Sequence, residues 1–174
     1  MSTAVGTAAP TFALPDTDGV EHSPGNAPAT LVVFTCNHCP YALAWHDRIA
    51  AVARDYEDVN VLAISSNDAV RYPRDSYEAM RERVANDGGW PMPYLYDESQ
   101  DVARAYGART TPDCFVLDAE GRVVYRGAPD ADHQDPSLHA AWLREALDAV
   151  LAGSQPATML AAPAATTIAS SSGS

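Results

Sequence analysis

Two cysteines at close spacing are the residues of this sequence best suited to chemistry. The segment FTCNHCPYAL, residues 34–43, contains Cys36 and Cys39, with His38 between them and Pro40 directly after them. Two thiols at this spacing can exchange with disulfides, supply two of the four ligands of a zinc site, or form a structural disulfide. The surrounding sequence has to decide between these three kinds of site.

A buried strand and a helix are predicted on either side of the cysteine pair. The run TLVVF, residues 30–34, is apolar and β-branched, which is typical of a strand buried on both faces. Helical spacing then predicts a long helix from Tyr41 to about Asp55, with inward residues Trp45, Ile49, Val52 and Tyr56. The cysteines are therefore expected at a strand-to-helix junction.

A position at the beginning of a helix gives the two thiols different roles. Unpaired backbone N–H groups and the positive end of the helix dipole stabilise an anion there. This favours Cys36 as a thiolate nucleophile with a lowered pKa, and Cys39, one turn later, as the resolving thiol. A protonated His38 stabilises the thiolate further, and Pro40, which lacks an N–H group, is expected to bend the helix and leave the motif on a short first turn.

The metal and structural interpretations are less favoured by the same sequence. A zinc site needs four ligands, and the chain has no second Cys-x-x-Cys pair, so that His38, His46 or Cys114 would have to complete it. A structural disulfide between the pair closes only a small loop and stabilises little. Cys114, inside the apolar run CFVLD, is predicted to be a small buried core residue. We therefore predict no metal and no cofactor, and His38 as a solvated loop residue remains an alternative to its tuning role.

Composition excludes several classes of partner. The chain has 174 residues, with 11 Lys and Arg against 23 Asp and Glu, and a formal net charge of −12 at pH 7. That charge repels nucleic acid and anionic membrane surfaces, and no apolar run approaches the roughly 20 residues that cross a bilayer. The opening residues lack the cationic start and apolar stretch of a secretory signal, which predicts a cytoplasmic location.

The remaining elements follow from short apolar runs and turn residues. An N-terminal hairpin is expected to turn at Asp18 and Gly19 and to edge the main sheet. VNVLAIS predicts a second buried strand and a βαβ unit, and a further helix is predicted from Asp75 to Asn86. YLY predicts a short strand, followed by a helix that Asp97 caps and Gly107 ends.

The C-terminal part is predicted to be a hairpin and a helix. CFVLDAEGRVVYRG reads as two strands joined by a turn at Glu120 and Gly121. The last helix is expected to begin with Asp135 as its cap, with inward residues Trp142, Leu143, Leu147, Val150 and Leu151. Residues 153–174 carry no charge and consist mainly of Ala, Ser, Thr and Pro, which predicts a flexible tail after one domain of residues 1–152.

From residue 9 to residue 152 the sequence resembles the thioredoxin-like superfamily. APTFALPDTDG resembles the opening of redoxin proteins of the AhpC/TSA type, and CNHCPYALAWHDRI resembles redoxin-domain thioredoxin family proteins with a Cys-Asn-His-Cys-Pro motif. The resemblance implies an α/β fold, in which helices flank a central mixed β-sheet, with the N-terminal hairpin and a helical insertion as additions.

The resemblance also implies a substrate-binding role for the segment TTPDCF. Pro112 matches the cis-proline that thioredoxin-like proteins place opposite their cysteines, and a cis bond there would let the Thr111 backbone hydrogen-bond to substrate. The buried acid of thioredoxins has no counterpart in ATLVVFT, residues 29–35, so the proton acceptor for Cys39 is unassigned. Asp113 could serve if it turned inward, although an exposed aspartate is expected.

The residues and the resemblance together favour a thiol-disulfide oxidoreductase. Its partners would be a disulfide-containing protein or small molecule and a dithiol electron donor. A thiol peroxidase with Cys36 as the peroxidatic thiol is an alternative, although the Pro-x-x-x-Thr-x-x-Cys signature of peroxiredoxins is absent. A non-catalytic adaptor that senses redox state through the pair is a third possibility, and the sequence leaves the oligomeric state open.

Overall fold

The structure, a computed structural model, describes residues 4–154, residue 156 and the backbone of residues 166–167. Its strands are β1 Leu14–Pro15, β2 Glu21–His22, β3 Ala29–Thr35, β4 Val59–Ser65, β5 Tyr94–Tyr96, β6 Thr110–Thr111, β7 Asp113–Leu117, β8 Val123–Gly127 and β9 Thr166–Thr167. Its α-helices are α1 Pro40–Asp55, α2 Tyr77–Asn86, α3 Asp101–Tyr106 and α4 Ala141–Leu151, with 3₁₀ turns at Pro73–Asp75 and Pro136–Leu138.

A mixed sheet of five strands forms the centre of the fold, in the order β5-β4-β3-β7-β8. Strand β3 pairs in parallel with β4 and antiparallel with β7, which puts the strand before the cysteines in the middle of the sheet. Every residue of β3 is buried, as expected for an apolar strand covered on both faces. The predicted α/β fold with a central mixed sheet is confirmed.

Helices cover both faces of this sheet. Successive residues of β3 point to opposite faces and therefore pack in two different core clusters. Leu31 and Val33 pack in a core cluster with residues of α1, α2 and α4, among them Trp45, Ile49, Met80, Leu143 and Leu147. Val32 and Phe34 pack on the other side, with Tyr106 of α3 and Phe115 of β7. Helix α1 is therefore anchored beneath the end of β3 where the motif begins.

Three details of the predicted elements are wrong. The N-terminal hairpin forms a sheet of its own, β1 with β2, instead of joining the edge of the main sheet. Helix α3 begins at Asp101, although the carboxylate of Asp97 still accepts the backbone N–H groups of Val102 and Ala103. Asp135 caps a 3₁₀ turn, and α4 begins only at Ala141; Leu151, expected to face inward, is the last residue of α4 and is 42% exposed.

A short strand pair lies outside the central sheet. Strand β6 pairs antiparallel with β9, with Thr110 opposite Thr167 and Thr111 opposite Thr166. The predicted flexibility of residues 153–174 falls mostly outside the described residues. Among the described helices, none combines the length and the apolar character needed to cross a membrane.

Candidate redox site

The cysteine motif lies in the connection between β3 and α1. Cys36 directly follows β3, Cys39 is the N-cap residue of α1, and Pro40 is the first residue of the helix. The expected bend at Pro40 is wrong, because a proline at the first helical position has no N–H that the helix would need. The helix dipole is also nearest to Cys39 rather than to Cys36, contrary to the expectation from the sequence.

Thr111 brings the two thiols together. Its Oγ1 lies 2.8 Å from Cys39 Sγ and 3.5 Å from Cys36 Sγ, and its carbonyl oxygen lies 3.3 Å from Cys39 Sγ. Both cysteines are free thiols. The Thr111–Pro112 peptide bond is cis, as the resemblance implied. Four of the residues singled out in the sequence, Cys36, Cys39, Thr111 and Pro112, therefore meet at one place, at the end of β3.

A buried carboxylate that sequence reasoning missed holds the middle of the motif. Asp75, in the 3₁₀ turn before α2, has no exposed surface. It accepts the backbone N–H of Asn37 at 2.6 Å, the side-chain amide of Asn67 at 3.0 Å, and a hydrogen bond from Nδ1 of His38. A buried carboxylate loses its hydration, and these three hydrogen bonds offset that loss for Asp75.

Asn37 is fixed from its other side by residues of α2 and β5. Its side-chain oxygen accepts hydrogen bonds from Arg83 and from the hydroxyl of Tyr94, each at 2.9 Å. Arg83 also donates to the carbonyl of Cys36 at 3.2 Å, and Asn37 donates to the carbonyl of Arg74 at 2.7 Å. The predicted helical insertion thus has a structural purpose, because it clamps the loop that carries the cysteines.

The electrostatics of Cys36 differ from the expectation. Its hydrogen bond with Cys39 and its burial raise the pKa of the Cys36 thiol, the nearby charge of Asp75 raises it further, and the hydroxyl of Thr111 lowers it. The expected lowered pKa of Cys36 is therefore wrong for this arrangement. Neither Cys36 nor Cys39 has exposed surface, so a substrate can reach the sulfurs only after a local movement.

His38 is partly exposed to solvent, whereas the two cysteines are buried. Its side chain is 20% exposed, and its ring stacks on Tyr72 with 4.6 Å between ring centres. The two rings line an open cavity of about 370 Å³ together with Arg71, Pro73 and Arg74. The stacked ring and the bond to Asp75 hold the side chain in place, and the tuning role of His38 stays a prediction.

The site also contains donors of the kind that hold metal ions. One donor atom each from Cys36, His38 and Asp75 lies within 4.8 Å of the other two, and no other such group of three occurs among the described residues. Both oxygens of Asp75 already accept protein hydrogen bonds. The contacts therefore describe a hydrogen-bonded group that positions His38, and the prediction of no metal stays a prediction.

Two other expectations concerned residues of β7. Asp113 is buried rather than exposed, and its carboxylate pairs with Arg126 at 3.1 Å. Burial is the main cause that raises its pKa, and Arg126 opposes that shift. Cys114 is a buried core residue, as predicted, and burial also raises the pKa of its thiol. The ion pair engages Asp113, so Asp75 is the buried acid that lies beside the motif.

Comparison with known proteins identifies the same fold. The profile of the AhpC/TSA family matches residues 5–126. A hypothetical protein from Sinorhizobium meliloti 1021 is 37% identical, with 99% of this chain and 98% of that chain covered and a TM-score of 0.91. An uncharacterized conserved protein from Geobacillus kaustophilus is 36% identical, with coverage of 98% and 94% and a TM-score of 0.91.

A more distant structure carries a functional description. A putative thioredoxin from Neisseria meningitidis is 25% identical, with 84% of this chain and 91% of that chain covered and a TM-score of 0.67. A search of curated proteins found no match. The solved structures therefore indicate a thioredoxin-like redox protein and leave its reaction to be inferred from the site.

Proposed function

Because the chain belongs to the AhpC/TSA family of thioredoxin-like proteins, we propose that it is a thiol-disulfide oxidoreductase that uses Cys36 and Cys39. The observation that carries the proposal is the shared contact of both sulfurs with Thr111. Two thiols that reach one hydroxyl lie close enough to close a disulfide after a modest movement. Both are free, which is the state that a reductant needs.

The reaction proceeds in two exchanges. The Cys36 thiolate attacks one sulfur of a substrate disulfide, so that a mixed disulfide forms and the other substrate sulfur leaves as a thiolate. Cys39 then attacks Cys36 Sγ, which closes the Cys36–Cys39 disulfide and releases the second substrate thiol. Two electrons pass to the substrate, and its two sulfurs take up the two protons of the dithiol. A dithiol donor restores the reduced protein.

Thr111 and Pro112 form the wall against which the substrate disulfide would lie. Thr111 contacts both sulfurs, and both Thr111 and Pro112 are buried. A protein disulfide brings an extended backbone that can hydrogen-bond beside Thr111. His38 and Pro40 keep supporting roles: His38 as the partly exposed titratable group of the motif, and Pro40 as the start of the helix that follows Cys39.

Disulfide reduction in a coupled assay tests this function. The native protein should reduce insulin or a small aromatic disulfide catalytically, and Cys36→Ser should abolish the turnover. Cys114→Ala is the matched control, because it also removes a buried thiol but one in the core, away from the site, and it should retain the activity. Equal losses in the two variants, or turnover by Cys36→Ser, would count against the proposal.

The family match favours one further reaction, the reduction of a hydroperoxide. Cys36 thiolate would attack the peroxide oxygen, become a sulfenic acid and release water or an alcohol, and Cys39 would then form the disulfide and release water. Peroxide consumption coupled to a disulfide reductase measures this activity. If neither peroxide nor disulfide turns over while a partner binds differently to the oxidised protein, the chain is a redox-sensing adaptor instead.

A further inference from the structure

We propose that Asp75 and His38 together accept and return the proton of the Cys36 thiol, with Asp75 as the residue that positions and charge-balances His38. This inference rests on the proposed disulfide exchange, since it names the proton acceptor that the exchange needs. It assigns to the helical insertion the buried acid that is missing from β3. His38 would contact the reacting group, and Asp75 would act through His38.

The cysteine motif supplies most of the hydrogen bonds to Asp75. The carboxylate is fully buried, and its three hydrogen-bond donors come from two segments: Asn37 and His38 of the motif, and Asn67 after β4. A buried acid held from several segments costs stability unless its contacts compensate. Two of the three donors belong to the motif itself, so this carboxylate is directed at the cysteine loop.

Two contacts fix the orientation of the His38 ring. Its Nδ1 bonds to Asp75 while its ring stacks on Tyr72, so the ring plane is held in place. When Nδ1–H donates to a carboxylate, the other ring nitrogen carries the lone pair of a base, and the carboxylate stabilises the imidazolium that forms. This is the arrangement that orients a general base.

His38 and Asp75 both lie close to the proposed nucleophile, Cys36. A ring nitrogen of His38 and an oxygen of Asp75 both lie within 4.8 Å of Cys36 Sγ. One bridging water can span such a separation, and catalytic hydrogen bonds are often long before substrate binds. His38 also borders the solvent-facing cavity, so the proton has a path between the buried sulfur and water.

Charge explains why both residues are needed. Asp75 alone disfavours a thiolate, since its negative charge raises the pKa of Cys36. A protonated His38 close to both groups offsets that repulsion, because its positive charge attracts the thiolate and the carboxylate. Several other titratable or charged side chains face this group, namely Cys39, Arg71, Tyr72, Arg74, Arg83 and Tyr94.

The proton balance of the step is complete. Cys36–SH loses its proton to His38, and the thiolate forms the new S–S bond while the substrate S–S bond breaks. The leaving thiolate then takes the proton back from the His38 imidazolium. No proton is lost, and no co-reactant is needed beyond the disulfide that the proposed function already supplies.

Alkylation of Cys36 as a function of pH tests the proposal without any substrate. The experiment uses the full chain with Cys39→Ser and Cys114→Ala in the background, so that a neutral reagent such as iodoacetamide reports on Cys36 alone. Asp75→Asn should slow alkylation at neutral pH and shift its pH profile upward, as should His38→Gln. By the usual size of general-base catalysis, the slowing should be about 100-fold. The double variant should be no slower than either single variant.

A purely electrostatic effect of Asp75 on Cys36 predicts the opposite change in alkylation rate. If Asp75 acted only as a charge beside Cys36, Asp75→Asn would lower the pKa of the thiol and speed alkylation at neutral pH. Faster alkylation, or additive losses in the double variant, would overturn the proposal. Asp68→Asn, which changes a carboxylate of the same loop that binds only the backbone N–H groups of Val70 and Arg71, should leave the profile unchanged.

Thermal unfolding and insulin reduction distinguish a failure of this proposal from misfolding of a variant and from a failure of the proposed function. Thermal unfolding shows whether Asp75→Asn still folds, and if it does not, His38→Gln decides, because it leaves Asp75 in place. An unchanged profile in His38→Gln would overturn the proposal. Loss of insulin reduction with an intact alkylation profile would count against the proposed function and not against the proton-accepting pair.

Discussion

Cys36 is the residue whose surroundings matter most for the reactivity of this protein. The thiol is buried, bonds to its partner thiol and lies near the negative charge of Asp75. All three features disfavour the thiolate, and Thr111 only partly offsets them. A buried thiol of this kind is kept protonated until a base or a change of conformation frees it.

The raised pKa of Cys36 predicts how stability depends on pH. A thiol ionises near pH 8.5 in an unfolded chain, and a higher pKa in the folded state means that its contribution to stability is present below that pH and is lost as the pH rises toward the folded value. We expect the free energy of unfolding of the reduced protein to fall between about pH 7.5 and 9.5, by at most roughly 1.4 kcal/mol per pH unit from this one thiol.

Urea unfolding at several pH values measures this slope. Cys36→Ala should flatten the curve in that window, while Cys114 continues to contribute because burial also raises the pKa of its thiol. The slope difference between the native protein and Cys36→Ala therefore isolates Cys36. Parallel curves for the two proteins would show that Cys36 ionises as readily in the folded state as in the unfolded state.

At the scale of elements, the strand pair β6 with β9 includes the residue that contacts both sulfurs. The backbone of Thr166 and Thr167 pairs with Thr110 and Thr111, and Thr111 is the residue that contacts both sulfurs. An extended substrate segment would need the same strand edge. The pairing thus places a segment of the chain's own C-terminal region where a substrate backbone would bind.

Weakening this strand pair should therefore open the site. Replacing Thr166 and Thr167 by proline removes the backbone N–H groups that a strand pair uses. We expect faster alkylation of Cys36, about tenfold if the pairing contributes about 1.4 kcal/mol to the closed form. Ser172→Pro, beyond the paired residues, is the matched control and should react like the native protein. Equal rates in all three proteins would mean that β9 does not limit access.

The elements also show where the sequence was informative. TLVVF and VNVLAIS predicted β3 and β4 because a strand buried on both faces must be apolar throughout. The starts of α3 and α4 were missed because short turns precede them, at residues 98–100 and 136–138, and their capping carboxylates look the same in either arrangement. The bend at Pro40 was predicted wrongly because the helix was expected to begin within the motif.

At the scale of the whole molecule, the fold was predictable and the site only in part. The apolar periodicity and the family resemblance together predicted the mixed sheet, and the spacing of Cys36 and Cys39 indicated the redox pair. Asp75 could not be found in this way, because it lies 36 positions after Cys39 and only the folding of the insertion onto the motif brings it close. Asn67 had one usable signal, since it follows a parallel strand at the same sheet edge as Cys36.

The cytoplasmic location stays a prediction. The exclusion of nucleic acid as a partner rests on the net charge of −12 and stays a prediction as well. The exchange itself is the central claim, and it depends on a specific order of events at two sulfurs. Cys36 must attack first, although Cys39 is the N-cap residue of the helix.

Trapping the intermediate tests that order most directly. Cys39→Ser, reduced and mixed with a disulfide substrate, should accumulate a mixed disulfide on Cys36, which peptide mass spectrometry locates and which a dithiol releases. Cys36→Ser should accumulate little or none on Cys39. A mixed disulfide that forms chiefly on Cys39 in Cys36→Ser, or on neither cysteine in either variant, would contradict the account.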